Sequence, residues 1–119
     1  MLMLPPTVKI YVAARPVDAR LSFDGLAQAA RQYVHQDPLS GHLFVFFNRR
    51  KDRVKILFWD RTGFCLFYKR LEQGTFHLPP VAPEATSVQL QAPELALLLE
   101  GIDLGQAHRH PRYHLPAIA

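Results

Sequence analysis

Three stretches rich in aromatic and β-branched residues, separated by two short polar turns, dominate the middle of the chain. The stretches are residues 42–48, 53–59 and 64–71, and the turns are residues 49–52 and 60–63. Apolar runs of this length, bounded by turn residues, are typical of neighbouring antiparallel strands. The pattern therefore predicts a three-stranded antiparallel meander around which the rest of the chain is organised.

The turns also predict which residues face each other. The turn at residues 60–63 starts with Asp and ends with Gly, as four-residue turns commonly do. The predicted cross-strand pairs are Trp59 with Phe64, Leu57 with Leu66, Lys55 with Tyr68, Phe47 with Val54, Val45 with Ile56, and Leu43 with Phe58.

Because side chains alternate along a strand, these pairs divide the meander into two faces. One face is almost wholly apolar and is predicted to be core: Leu43, Val45, Phe47, Val54, Ile56, Phe58, Cys65 and Phe67. The other is apolar at one end and cationic at the other: Phe44, Phe46, Arg53, Lys55, Leu57, Trp59, Phe64, Leu66, Tyr68 and Arg70. A second apolar face implies cover by another element or another chain.

Shorter elements are predicted on both sides of the meander. Residues 7–13 predict an edge strand, and an apolar stripe predicts a helix from an N-cap at Ser22 to Gln36. Residues 75–78 predict a short strand, residues 86–90 an extended segment, and Pro93 to Gly101 a second helix. The predicted fold class is α+β: an antiparallel sheet of three to five strands with one helix before the meander and one after it. Residues 1–104 are expected to form one domain, and residues 105–119 a flexible tail containing His and Arg.

Composition favours a soluble intracellular protein. The chain has 119 residues, of which 49% are hydrophobic, enough for a packed core. Its one cysteine, Cys65, cannot form a disulfide within the chain and is predicted to be a small buried apolar residue. No stretch has the pattern of a signal peptide or a membrane span. We therefore expect a cytoplasmic location and no membrane partner.

Positive charge is concentrated on the meander. Residues 42–72 contain eight basic residues and three acidic ones, whereas the rest of the chain contains six basic and seven acidic residues. A localised excess of this kind favours a polyanionic partner, although charged hairpin turns can also be merely solvated. Arginine and lysine contact phosphates, and flat aromatic rings stack on bases. The predicted nucleic-acid-binding residues are Arg49, Arg50, Lys51, Arg53, Lys55, Trp59, Tyr68, Lys69 and Arg70.

The sequence gives weaker evidence for a catalytic or metal-binding site than for a nucleic-acid-binding surface. There is no nucleophile motif and no glycine-rich phosphate loop. His108, His110 and His114 lie close together, but intervening arginines and a proline argue against a preformed metal site. Asp18 and Asp60 are predicted at turns and not on neighbouring strand centres, where acids would converge on metal ions. We therefore expect no catalytic residues, no metal and no cofactor.

Several ordered segments nevertheless resemble a known family. They are residues 18–20 (Asp-Ala-Arg), 23–26 (Phe-Asp-Gly-Leu), 37–46 (Asp-Pro-Leu-Ser-Gly-His-Leu-Phe-Val-Phe), 49–60 (Arg-Arg-Lys-Asp-Arg-Val-Lys-Ile-Leu-Phe-Trp-Asp), 69–76 (Lys-Arg-Leu-Glu-Gln-Gly-Thr-Phe) and 98–103 (Leu-Leu-Glu-Gly-Ile-Asp). Together they resemble the TnpB accessory protein, the second open reading frame of bacterial insertion sequences of the sixty-six group. The resemblance covers roughly residues 5 to 103 and does not extend to the RNA-guided nuclease that shares the name TnpB.

The resemblance implies an accessory protein of DNA transposition, encoded beside a separate transposase. The leading hypothesis is a non-catalytic factor that binds the DNA ends of the element, assembles with the transposase, or does both. The alternative is a protein-interaction module that docks on the transposase through the apolar second face, without touching DNA. A metal-dependent nuclease that uses Asp18 or Asp60 ranks last.

Overall fold

A computed structural model of the chain describes Pro5 and residues 7–102. Its elements in chain order are β1 (Ile10–Ala13), α1 (Phe23–Ala29) continued by a π-helical turn (Ala30–Val34), β2 (Leu43–Phe47), β3 (Arg53–Asp60), β4 (Gly63–Arg70), β5 (Ser87–Leu90) and α2 (Ala92–Leu99). The predicted tail of residues 105–119, with its three histidines, lies outside the described residues. The fold is α+β, with one helix before the meander and one after it, as predicted.

The meander forms as the turn chemistry predicts. β2 pairs with β3 and β3 with β4, both antiparallel, and the register joins Phe47 to Val54 and Trp59 to Phe64. The turn at residues 61–62 connects β3 and β4 directly, so every residue of β4 has a fixed partner on β3. The hairpin turns therefore set the register of both strand pairs.

The prediction that β1 is an edge strand of an antiparallel sheet is wrong. The strand order is β4-β3-β2-β1-β5, so β1 lies inside the sheet. It runs parallel to β2 and antiparallel to β5, which makes the sheet mixed. Parallel neighbours need a long crossover between them, and α1 with its π-helical turn supplies that crossover.

Both faces of the sheet are covered at its centre. The face covered by α1 and the π-helical turn, here the α1 face, buries Tyr11, Ala13, Phe44, Phe46 and Leu57. The opposite face, here the α2 face, buries Ile10, Val12, Leu43, Val45, Phe47, Val54 and Ile56 against Leu95 and Leu98 of α2. The second apolar face recognised in the sequence is therefore covered by the chain's own first helix over β1, β2 and part of β3.

The helices do not fully cover β4, the outermost strand, which lies beside β3. Cys65 is half-buried and Phe67 is 37% exposed, although both were predicted to be core. The reason is position: α2 packs over the centre of the sheet, and β4 has a neighbouring strand on one side only. The alternation of side chains was predicted correctly, but alternation alone does not show how far a covering helix reaches.

Two local predictions are corrected, those for residues 75–78 and for Ser22, and the start of α2 is defined. Residues 75–78 form no strand; instead Phe76 inserts its ring into the core from an irregular segment. Ser22 precedes α1 but makes no side-chain capping hydrogen bond. α2 begins after Gln91, whose backbone N–H donates to Glu94 Oε1 at 2.8 Å, so a glutamate in the first turn closes the helix start without a Ser or Thr cap.

Candidate nucleic-acid interface

One buried side chain, Asn48, closes the turn between β2 and β3. Its Oδ1 accepts hydrogen bonds from the backbone N–H groups of Asp52 and Arg53, at 3.1 and 3.0 Å. Lys51 has a left-handed backbone with φ of 60° and donates its N–H to the Asn48 carbonyl at 3.1 Å. An asparagine that bonds to backbone groups a few residues ahead favours a single turn conformation. The turn is thus specified by Asn48.

Three consecutive cations project from this turn. Arg49, Arg50 and Lys51 are all exposed, and we call these three residues the basic turn. The irregular segment that follows β4 supports it from one side, because the Phe76 N–H donates to the Lys51 carbonyl at 2.7 Å. The backbone of the basic turn is therefore held from within by Asn48 and from outside by residue 76, while its side chains stay in solvent.

One carboxylate, Asp52, lies next to the basic turn. The Asn48 amide donates to it at 2.6 Å, and this hydrogen bond is the main reason that the pKa of Asp52 is lowered; the charges of Arg50 and Arg53 add to the effect. Asp52 therefore remains anionic and serves the turn by binding Asn48. It offsets only part of the positive charge carried by its neighbours.

An open cleft of about 390 Å³ lies beside the basic turn. Its lining residues are Pro16, Val17, Asp18, Ala19, Asn48, Arg49 and Arg50. The Val17 N–H donates to the Phe47 carbonyl at 2.9 Å, which joins the loop after β1 to the end of β2. Two arginines of the basic turn and one aspartate therefore line the same open space.

The aspartate of this cleft, Asp18, is bound to Arg20. Arg20 donates to it from Nη2 at 2.8 Å and from its backbone N–H at 2.8 Å. These hydrogen bonds lower the pKa of Asp18 from 3.8 to about 2. Because the pKa is depressed in the folded state, the stabilisation that accompanies it is present above pH 3.8 and is lost as pH falls through about 2.

We expect an NMR titration of the Asp18 carboxyl to show a midpoint near pH 2. Arg20→Gln removes the guanidinium with its charge and paired donors and should move the midpoint upward toward 3.8. Lys9→Gln removes an exposed charge elsewhere and should leave the midpoint unchanged. An Asp18 midpoint near 3.8 in the unaltered protein would show that the ion pair does not persist in solution.

Lys55, a predicted phosphate contact, is directed into the protein. Its side chain is 8% exposed, and Nζ donates to the Ala19 and Leu21 carbonyls at 2.6 and 2.5 Å. The ammonium also lies 4.6 Å from the centre of the Tyr68 ring. Burial lowers the pKa of Lys55. This lysine joins β3 to the loop before α1 and presents no ammonium group to solvent.

Two other predicted cations are also engaged within the protein. Lys69 lies on the α2 face and donates from Nζ to the Leu99 carbonyl at 2.6 Å, where a cation complements the C-terminal end of α2. Arg70 lies on the α1 face and pairs with Glu72 at 3.0 Å. The cations of the meander are therefore divided between opposite faces and do not form one continuous ridge.

The remaining predicted residues lie on the α1 face. Arg53 is half-buried, and its Nε has no hydrogen-bond partner among the residues that the structure describes. Trp59 is half-buried with its ring 5.1 Å from that of Phe64, in an edge-on arrangement. Tyr68 is 51% exposed. Of the two predicted stacking rings, Tyr68 is the more accessible.

Sequence reasoning missed Asn48 and the cleft beside it. The signal for Asn48 was available, since an asparagine ahead of a four-residue polar turn commonly bonds to the backbone of that turn. The cleft could not be found in the same way, because it depends on how the loop after β1 packs against the end of β2.

The structure also places the residues considered for chemistry. Asp18 pairs with Arg20, and Asp60 ends β3 at an exposed turn. Within the described part of the chain, no three His, Cys, Asp or Glu residues are grouped as metal ligands would be. None of the described helices combines the length and apolar character needed to cross a membrane.

Comparison with known proteins finds one matching family and similar proteins from one organism. The family described as IS66 Orf2-like protein matches residues 8–109. Protein y4jC of Sinorhizobium fredii is 36% identical over 104 residues, which is 87% of either chain. Protein y4hO of the same organism is 36% identical over 112 residues, which is 92% of either chain. No solved structure shows a significant match. The chain belongs to the IS66 Orf2-like family, whose members are accessory proteins of insertion-sequence transposition.

Proposed function

We propose that the protein assists transposition by binding the phosphate backbone of DNA through the basic turn, alongside a separately encoded transposase that performs the chemistry. The observation that carries the proposal is the group of three exposed cations on a turn whose backbone Asn48 holds in place. The ion pairs found among the described residues join Arg20 to Asp18 and Arg70 to Glu72, so neither involves the basic turn.

The geometry suits a backbone contact better than base readout. Guanidinium and ammonium groups bind phosphate oxygens with little dependence on sequence. A turn with a fixed backbone loses less conformational freedom when it binds than a mobile loop would lose. The basic turn therefore supplies affinity and orientation, and the cleft beside it provides space for a phosphate or sugar next to Arg49 and Arg50.

Two other residues of the predicted interface, Arg70 and Tyr68, can contribute to DNA binding. Arg70 pairs across the strands with Arg53, at the end of the meander that carries the basic turn. The Arg70 side chain is 58% exposed despite the ion pair with Glu72, and Tyr68 lies two residues away on the same face. These two side chains could extend the contact along the α1 face. Lys55 is left out of the proposed interface because its ammonium is enclosed, and Lys69 because it binds α2 on the opposite face.

The proposal predicts a specific loss of DNA binding in a triple variant, Arg49→Gln/Arg50→Gln/Lys51→Gln. At low salt we expect its affinity for a labelled duplex of the element end to fall at least ~10-fold, because several phosphate contacts are lost. The slope of log affinity against log salt should also become shallower by about 0.9 for each contact removed. Fluorescence anisotropy at four or five salt concentrations measures both quantities.

A matched control removes the same charge elsewhere. Lys9→Gln/Arg31→Gln/Arg61→Gln changes three exposed cations outside the basic turn. It should leave the salt slope nearly unchanged, which separates local contacts from net charge. If the unaltered protein fails to bind duplex DNA at low salt, or if both triple variants lose affinity equally, the proposed interface is wrong. A scrambled duplex shows whether any sequence preference exists.

The alternative is that the protein docks on the transposase through the apolar second face. Most of that surface is already buried within the protein. α1 and the π-helical turn already bury Phe44, Phe46 and Leu57 on that face. What stays accessible is the outer strand, β4, which includes the half-buried Phe64, together with the half-buried Trp59 on β3. Co-purification with the transposase after nuclease treatment would favour this alternative if it were lost in Phe64→Ala and retained in the Arg49→Gln/Arg50→Gln/Lys51→Gln variant.

A further inference from the structure

The outer strand β4 has the properties of a pairing edge. It is eight residues long, whereas β5 at the other edge of the sheet has four. It contains no proline, and residues 64–68 carry no charge. Native proteins usually protect an edge with charges, prolines, bulges or short strands, because an unprotected edge pairs with another chain. β4 carries charge only at its C-terminal end, at Lys69 and Arg70.

The outward backbone groups of β4 can be identified from its ladder with β3. Just beyond the strand, the Leu71 N–H donates to the Asp52 carbonyl at 2.8 Å, so residue 71 points its backbone groups toward β3. Direction alternates along an antiparallel strand. The N–H and C=O groups of Phe64, Leu66, Tyr68 and Arg70 therefore point away from β3, where the sheet has no further strand among the described residues.

We propose that a second copy of this chain pairs with β4, strand against strand and antiparallel, about a two-fold axis that is perpendicular to the sheet and passes midway between the two Leu66 residues. The two five-stranded sheets then become one continuous sheet. The pairs created across the axis are Leu66 with Leu66, Phe64 with Tyr68, Cys65 with Phe67, Gly63 with Lys69, and Thr62 with Arg70. Residues that face each other across the axis share a face of the sheet, as a continuous sheet requires.

Charge favours a second copy in this orientation. β4 is uncharged over most of its length and cationic at one end. A parallel arrangement would place Arg70 against Arg70, and like charges directly opposite are destabilising. The antiparallel two-fold arrangement instead separates the two Arg70 residues and places each opposite Thr62 of the other copy, beside Arg61 and Asp60, whose opposite charges offset each other.

Space favours the register centred on Leu66. Lys69 of one copy lies opposite Gly63 of the other, and a Cβ added at Gly63 would meet no atom within 4 Å. The Lys69 side chain, whose Nζ binds the Leu99 carbonyl, therefore meets no side chain directly across the axis. Shifting the axis to Phe67 would place Lys69 against Cys65 and Arg70 against Phe64, which would pair cations with apolar groups.

Pairing also covers the apolar side chains that the fold leaves accessible on β4. Phe67 is 37% and Tyr68 51% exposed, and in the two-copy sheet each gains an apolar partner directly across the axis. Cross-strand pairs of aromatic and aliphatic side chains typically contribute about 0.2–1 kcal/mol each. The basic turn is outside β4, so the dimer leaves it accessible; only the extension of the DNA contact to Tyr68 and Arg70 competes with pairing, and binding through the basic turn and dimerisation can fail independently.

The first test is the mass of the full chain in solution, measured by light scattering or sedimentation without DNA. We expect the unaltered protein to be dimeric at the highest soluble concentration. Phe67→Lys should be monomeric, because the charged lysine would lie opposite Cys65 of the second copy in an otherwise apolar pair. The fold should tolerate the change, since Phe67 is partly exposed. Circular dichroism verifies that Phe67→Lys keeps its fold. Leu97→Lys, at an exposed position of α2, is the control and should stay dimeric.

Cross-linking tests the register. Phe67→Cys places a new thiol opposite Cys65 of the second copy at a pair that is not hydrogen-bonded, where Cα atoms lie about 4.5 Å apart and a disulfide fits. Mild oxidation should give a covalent dimer. Lys69→Cys faces Gly63 in this register and should not cross-link more than the unaltered protein.

Three results would overturn the proposal: a monomeric unaltered protein, a dimer that survives Phe67→Lys, or cross-linking through Lys69→Cys in place of Phe67→Cys. The last result would show a sheet centred on another residue. Binding of the element-end duplex by the Phe67→Lys monomer shows whether the basic turn works independently of pairing.

Discussion

Replacing Phe76 by alanine is expected to lower the free energy of unfolding by about 3–5 kcal/mol, the usual range for truncating a buried phenylalanine. Phe76 lies in an irregular segment, yet it is 1% exposed and packs in the core of the α2 face. Its ring centre is 5.5 Å from that of Phe47 on β2. Alanine would leave a cavity between the sheet and the segment after β4, which relaxation can fill only in part.

Urea denaturation measures this change, and Phe23→Ala is the matched control. Phe23 begins α1 and is 43% exposed, so its truncation should cost less than ~1 kcal/mol. Equal losses in the two variants would show that the segment around residue 76 does not hold its ring in the core. Alanine keeps the backbone N–H of residue 76, which donates to the Lys51 carbonyl and supports the basic turn. The alanine variant should therefore retain DNA binding under conditions in which it remains folded.

Lys55→Met is expected to lower the free energy of unfolding by about 2 kcal/mol. Methionine keeps most of the side-chain volume but supplies no donor to the Ala19 and Leu21 carbonyls, which Nζ contacts at 2.6 and 2.5 Å. Hydrogen bonds made by a charged group contribute about 1.5–3 kcal/mol, and the release of a lysine from burial offsets part of their loss. The loop before α1 would lose its connection to β3.

Two readouts distinguish this role from phosphate binding. Denaturation of Lys55→Met should show the loss, whereas Lys9→Met, at an exposed position, should change stability by less than ~0.5 kcal/mol. DNA affinity of the folded Lys55→Met protein should change less than about twofold, since its ammonium does not face solvent. A large loss of affinity with unchanged stability would mean that Lys55 reaches the DNA.

The parts of the fold that depend on neighbours in sequence were predictable. The two hairpin turns determine the register of β2, β3 and β4, and alternation then assigns each side chain to a face. The second helix was predicted between Pro93 and Gly101, and Gly101 has φ of 82° after the helix ends. In each case the information lies within a few residues of the element.

The parts that depend on distant segments were not predictable. Nothing in the residues of β1 states that its partners are β2 and β5, although a helix between two apolar strands favours parallel pairing. The Lys55 side chain was predicted to face solvent and contact phosphate, because lysine side chains are usually exposed. Only the packing of residues 19–21 reveals its carbonyl partners. In the candidate interface, the basic turn was therefore recognised, whereas the enclosure of Lys55 was not.

The position of β1 inside a mixed sheet has a consequence during translation. β1 leaves the ribosome before both of its neighbours, and its first partner, β2, follows only after α1 has been made. Its other side stays unpaired until β5 emerges, much later in the chain. A nascent chain that stalls between β4 and β5 would therefore expose one side of β1 as a second unpaired sheet edge, in addition to the outer edge of β4, until β5 is made.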